Sequence, residues 1–173
     1  NAMLRRLLAR RWRPLSDEDL QKVEAACRTF QQQLIVFTLL DLGLRVSELS
    51  ELTPAMLDQE ARIMRVQRTR TVGTAEERLL PMTQRTASLW RQFFTDKEQF
   101  ALSTRQVQRI VQAIGKSAGF ADRLSPQALR ETFAVRLIEK GASPALLNYA
   151  MGYQQPAMPA EEAVAALTLL VNT

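Results

Sequence analysis

The chain has 173 residues, with 23 lysines and arginines against 18 aspartates and glutamates, no histidine and one cysteine. The absence of histidine excludes imidazole-based catalysis and the common zinc sites, and a lone Cys27 excludes an internal disulfide framework and reads as a small core residue. No apolar run is long enough to span a membrane, no P-loop or GxGxxG pattern occurs, and nothing in the sequence argues for export.

The cations are 19 arginines against 4 lysines, the net charge is +5 and the pI is near 10.0. Guanidinium groups match phosphate with a planar fork of donors, so the balance suggests a polyanionic partner, nucleic acid first. Asn1 and Ala2 ahead of Met3 read as an expression scar. Residues 3–13, "MLRRLLARRWR", form a basic arm or helix carrying Arg5, Arg6, Arg10, Arg11 and Arg13. Either a contact with a polyanion or a solvated helix face accounts for them. Ser16 with Asp19 three residues later then signals a capped helix start.

"FQQQLIVFTLLDLG" predicts a strongly apolar helix ending near Gly43, and "VSELSEL" a short helix with Val46, Leu49 and Leu52 on one side. In "ARIMRVQRTRTVGTAEERLLPM" the period changes to two, which predicts an antiparallel hairpin turning near Gly73. Helices are predicted over 84–95, 104–118, 126–140, 144–151 and 160–171, with Ser103 as one cap. Ser125 and Pro126 open the 126–140 helix and Gly141 follows it. The fold class is mainly α with one small antiparallel β-hairpin. With no repeat, low-complexity tract or linker, residues 14–173 are expected to form one domain.

Two arginines stand out. On the helix "SPQALRETFAVRLIEKG", Leu129, Phe133, Ala134, Leu137 and Ile138 fill one half of the circle, and Arg130 falls at its centre. A leucine would serve packing better. Arg45 opens the "VSELSEL" helix, where a cation opposes the helix dipole unless an anion sits against both. An ordinary surface arginine paired with Glu48 three residues on is the plainer reading.

"GLRVSEL", "SPQALRETFAVRLIEKGAS" and "ALLNYAMGY", in this order, resemble the catalytic domain of tyrosine recombinases, the phage-integrase and Xer-like family. The family patterns are G-L-R-x-S-E-L, H-x-L-R-H-T-F-A and L-G-H, and the hairpin resembles the family's G-K-G-x-K-x-R-x-V-P-L. The resemblance covers about residues 14–160. It implies a scissile phosphate held by Arg45 and Arg130, with Glu48 orienting the site, and double-stranded DNA as partner without a cofactor or metal. Arg70 is the cation nearest the place of the family's hairpin lysine, which aligns near Gly73. Gln127 replaces the first histidine and Tyr153 the L-G-H histidine; both can donate a hydrogen bond to phosphate. The nucleophilic tyrosine should fall at Glu162, and the chain's only tyrosines are Tyr149 and Tyr153, of which Tyr149 matches a core position.

The expectation is therefore a DNA-binding recombinase-family protein in a recombination or integration context, of mobile-element type and at the bacterial nucleoid, that lacks strand cleavage. An active but divergent recombinase using Tyr153 or a partner's tyrosine is an alternative, as is an interaction module without DNA. The apolar last helix is expected to pack on its own domain or to dock on a second copy or another recombinase.

Overall fold

The computed structural model describes residues 15–68, 76–120, 123–153 and 158–172. The basic stretch 3–13, Arg70 and Gly73 lie outside the described residues. Helix α1, Asp17–Ala26, starts at a capping box in which Ser16 and Asp19 exchange bonds with each other's backbone N–H, and it buries Leu20 and Val23. Helix α2, Phe30–Leu42, opens on a second such box, Thr29 with Gln32. It buries Leu34, Ile35, Val36, Leu39, Leu40 and Leu42, so it is apolar nearly all round, as a central helix must be. It ends at Gly43, whose φ of +65° suits a residue without Cβ; a Cβ there would also meet the Phe133 ring.

Helix α3, Val46–Ser50, and a 3-10 turn at Pro54–Met56 lead into the sheet. Its strands are β1, Leu57–Asp58, β2, Ile63–Arg68, and β3, Glu76–Pro81, antiparallel in that order. The predicted hairpin is β2–β3. The short β1 was not foreseen, because two residues are too few to carry an alternating pattern. The register pairs Met64 with Leu80 and Val66 with Arg78, and all four are buried.

The remaining helices are α4, Gln84–Phe93, α5, Thr104–Ser117, α6, Pro126–Glu139, α7, Pro144–Met151, and α8, Ala160–Val171. Each starts within a residue of its predicted position, and α4, α5 and α6 stop one or two residues earlier. α6 is buried on almost every side, from Pro126 through Leu137. It packs against α2, and the buried apolar side chains make one continuous cluster. Trp90 of α4 joins that cluster fully buried, its Nε1 donating to Thr38 Oγ1 at 2.9 Å, so the indole costs no unmet donor. Arg85 adds a polar tie. It donates to both carboxylate oxygens of Asp41 at 2.7 Å and to Glu24 at 2.9 Å, which raises its pKa despite burial.

Helix α8 packs against β3 and α7 of its own chain, with Ala163 and Leu167 buried, and Lys140 Nζ donates to the Leu170 carbonyl. Leu167→Ala is therefore expected to destabilise the monomer by about 2–5 kcal/mol, measured by chemical denaturation. A loss of stability that depended on protein concentration would instead place Leu167 at a contact between chains.

Candidate functional site

The carbonyl ends of two helices meet beside α3. α2 ends at Gly43 and α7 at Gly152, both in the left-handed conformation. Helix C-termini leave their last carbonyls without intrahelical donors, and these carry partial negative charge. Three arginines supply the donors. Arg78 Nε donates to Ala150 O at 3.1 Å, Arg130 Nη2 to Met151 O at 2.6 Å, and Arg45 Nη2 to Gly152 O at 3.4 Å. Arg130 Nη1 also donates to Gly43 O at 2.5 Å, so one guanidinium bridges both helix ends.

One carboxylate serves this cluster. Glu48, 6% exposed, accepts from Arg78 Nη1 and Nη2 at 2.5 and 2.9 Å, from the Arg45 backbone N–H at 2.7 Å, and from Arg45 Nη1 at 3.4 Å. Burial alone would raise its pKa. The Arg78 hydrogen bonds and charge, and then the Arg45 contacts, outweigh that and hold the carboxyl below its usual range. Arg45 thus does pair with Glu48, as the plainer sequence reading had it, while also reaching the cleft. The Glu48 carboxylate is taken by Arg78 and Arg45 and makes no hydrogen bond with Arg130.

Arg130 is 3% exposed and has no carboxylate partner among the described residues. Burial, together with the nearby Arg45 charge, pushes its guanidinium down to about 10. The inward aim of this arginine, odd for a packing residue, follows from the two carbonyls and from an open cleft of about 660 Å³ that it helps to line. Arg45, Val46 and Ser47 form one wall, Gln127 and Arg130 another, and Tyr153 closes one side with its ring 5.9 Å from the Arg130 guanidinium carbon. No carboxylate among the described residues lines it.

Gln127 is exposed, and its Nε2 donates to Glu131 Oε1 at 3.1 Å; Glu131 is 8% exposed. An ionised carboxylate only accepts, so Glu131 draws one N–H of the amide to itself. Tyr149 ties α7 to the hairpin: its hydroxyl accepts from Leu79 N–H at 2.8 Å and lies 3.3 Å from the Leu79 carbonyl. Glu162 is exposed in the first turn of α8 and does not line the cleft.

Sequence reasoning missed Arg78, Gln108 and Gln112. The signal for Arg78 was an arginine two residues before Leu80 on one face of a strand, the same misfit that marked Arg130. Gln108 and Gln112 stand one turn apart on α5 and line the cleft. Arg105, Arg109 and Lys116 share the exposed side of this helix, which contains no acidic residue.

Similarities to known proteins agree with this geometry. The model of the phage integrase family matches residues 13–160, and the chain belongs to that family. It is 31% identical over 144 residues to tyrosine recombinase XerA of Saccharolobus solfataricus, a match covering 81% of this chain and 48% of that protein. The integrase of mycobacterium phage Brujita superposes with a TM-score of 0.72 at 21% identity, over 92% of this chain and 55% of that one. The Tn1549 transposon integrase, solved in complex with transposon right end DNA, gives 0.64 at 22% identity over 92% of this chain and 60% of its own. The fold is that of a tyrosine recombinase catalytic domain, and the chain spans about half the length of the curated relatives it matches.

The two buried arginines should respond differently to removal. Pushing the Arg130 guanidinium down to about 10 costs the fold roughly 3 kcal/mol at neutral pH. Arg130→Met relieves that cost and leaves two carbonyls to be solvated from the cleft, at about 1–3 kcal/mol each. Its stability should stay within about 3 kcal/mol of the parent. Arg78→Met strands the Glu48 charge and should cost about 3–5 kcal/mol. Equilibrium urea unfolding checks both; equal losses would refute the distinction.

A pH series adds a third arm. The folded pKa of Glu48 lies below its unfolded value, so its contribution is present above the ordinary carboxylate range. It is lost as pH falls through the folded value. Glu48→Gln should flatten that acid limb.

Proposed function

We propose that this chain is the DNA-backbone-binding domain of a recombinase-family protein, gripping a phosphate between Arg45 and Arg130 without cleaving the strand itself. The observation that carries this reading is the cleft: two arginines reach it from helix ends that cannot neutralise them, and no described carboxylate lines it. Three guanidinium groups and one carboxylate leave a net positive centre, which a phosphodiester completes. The acid-free side of α5, with Arg105, Arg109 and Lys116, would lie along the duplex and add backbone contacts. Gln127 and Tyr153 would donate to the same phosphate. The complex of the Tn1549 integrase with DNA supports double-stranded DNA as the partner. On this reading the protein acts in the cytoplasm, on chromosomal or mobile-element DNA.

Strand cleavage needs a nucleophile and a proton donor for the leaving oxygen. Glu162 stands where the family pattern calls for tyrosine, and a carboxylate there repels phosphate rather than attacking it. Gln127 cannot shuttle a proton. The groups present bind and orient.

One observation favours a second reading. Tyr153 is 42% exposed at the edge of the cleft, with its ring against Arg130, and so presents a hydroxyl near the proposed phosphate. A DNA substrate with a nick that traps the covalent intermediate separates the two. No protein–DNA adduct is expected from the parent or from Glu162→Tyr, because catalytic groups act as a unit. An adduct that disappears in Tyr153→Phe would establish the second reading.

Binding itself is measured by fluorescence anisotropy against salt. Arg45→Met and Arg130→Met should each weaken binding nearly uniformly across sequences and lower the salt slope by about one. Unchanged affinity in both would refute the phosphate grip.

A further inference from the structure

Arg78 is the one arginine of the cluster that does not line the cleft, and it is the most completely bonded. All three of its nitrogens are engaged: two hold both oxygens of Glu48 and the third holds Ala150 O. An Arg–Glu pair at this depth is an expensive way to fasten a strand, since an apolar pair of similar volume serves packing as well or better. What the pair adds is direction. With Arg78 fixing the carboxylate from behind, Glu48 presents its oxygens to the Arg45 backbone N–H and to Arg45 Nη1. Arg45, with 27% of its side chain exposed, then extends into the cleft.

Gly152 sits in the same arrangement. A Cβ on this residue would lie 2.9 Å from Arg45 Nη1 and 2.9 Å from Arg78 Nη1, with φ at +71°. Both obstructing atoms are the ends of side chains, so an added methyl displaces guanidinium groups, besides straining the left-handed backbone.

We propose that Arg78 and Gly152 are positioning residues for the anion site, acting on Arg45 through Glu48 and the carbonyl end of α7 without touching the ligand. This inference rests on the phosphate-binding reading. A lysine at position 78 keeps the charge but cannot reproduce the fork on Glu48 together with the bond to Ala150 O. The device therefore depends on guanidinium geometry and not on charge alone.

The test uses the full chain and a fluorescein-labelled duplex of random sequence, at a temperature where every variant is folded. Glu48→Met combined with Arg78→Met removes the buried pair as a unit and strands no charge. It is expected to weaken binding by on the order of tenfold, as Arg45→Met does. Adding Arg45→Met to the double variant should cost little more, because the arginine has already lost the carboxylate that aims it. Gly152→Ala should weaken binding in the same direction, and Arg78→Lys should give a folded protein that binds less tightly. Arg78→Lys and Gly152→Ala carry the test if the double variant does not fold.

If Arg45→Met and Arg130→Met weaken binding while the double variant and Gly152→Ala bind like the parent, the positioning role is refuted and the phosphate reading stands. If Arg45→Met and Arg130→Met change nothing, the phosphate reading fails, and arginine Nε–Hε NMR without DNA decides the positioning role. The Arg45 signal, identified by its loss in Arg45→Met, should move toward the solvent-exposed position in the double variant. An unmoved signal refutes it.

Discussion

Everything near the cleft depends on carbonyl oxygens at two helix ends accepting from arginines. Three like charges brought into one partly buried volume repel, and each gives up hydration. A single carboxylate cannot offset that. The carbonyls of Ala150, Met151 and Gly152 take one arginine each, and Gly43 takes a second bond from Arg130. These oxygens need donors in any case, since no helical turn follows to supply them. Two structural deficits, unpaired carbonyls and desolvated cations, thereby cancel in part.

The same bonds set the relative positions of the elements. Arg130 joins the end of α2 to the end of α7, and Arg78 joins β3 to both α3 and α7. Tyr149 makes a further link from α7 to β3 through Leu79. The small sheet has one face on the core, where Met64, Val66, Leu80 and Arg78 lie together. Arg78 ends that apolar row and turns it toward Glu48. Rigid elements bearing locked side chains are what a binding centre requires if its charges are to be held in place before the ligand arrives. The residual positive charge is the cost of that preorganisation, and an anion relieves it.

Much of this could be read from the chain, for reasons that differ by residue. Arg130 betrayed itself because helical periodicity assigns a face without knowledge of any partner. Arg45 and Glu48 lie three residues apart, a local spacing that forecasts their contact. Arg78 lies 30 residues from Glu48. A strand's inner face is fixed only once its register with β2 is known, so the alternating pattern alone could not say which arginine Glu48 would take. Gln108 and Gln112 looked like ordinary solvated residues of an amphipathic helix, and only packing of α5 beside α3 brings them to the cleft. Helix starts were well marked by Ser and Pro, whereas α4 and α6 end at the caps Phe94 and Lys140, which come before any residue that signals a stop.

Burial also sets Arg78 and Arg130 on a different footing from Glu162. Exchanging Arg130 leaves the carbonyls of Gly43 and Met151 to be met from the cleft, and exchanging Arg78 leaves the buried Glu48 charge with Arg45 alone. Glu162 has no such entanglement. It is exposed in the first turn of α8, where an acid is favoured by the helix dipole and a substitution costs little. A helix start tolerates glutamate there as readily as tyrosine, and nothing in the packing registers the difference. Packing therefore ties Arg78 and Arg130 to the carbonyls and the carboxylate around them whether or not the chain cuts DNA. The group that would do the cutting is held by function alone. In a fold of this kind, an intact arginine cluster says nothing by itself about cleavage.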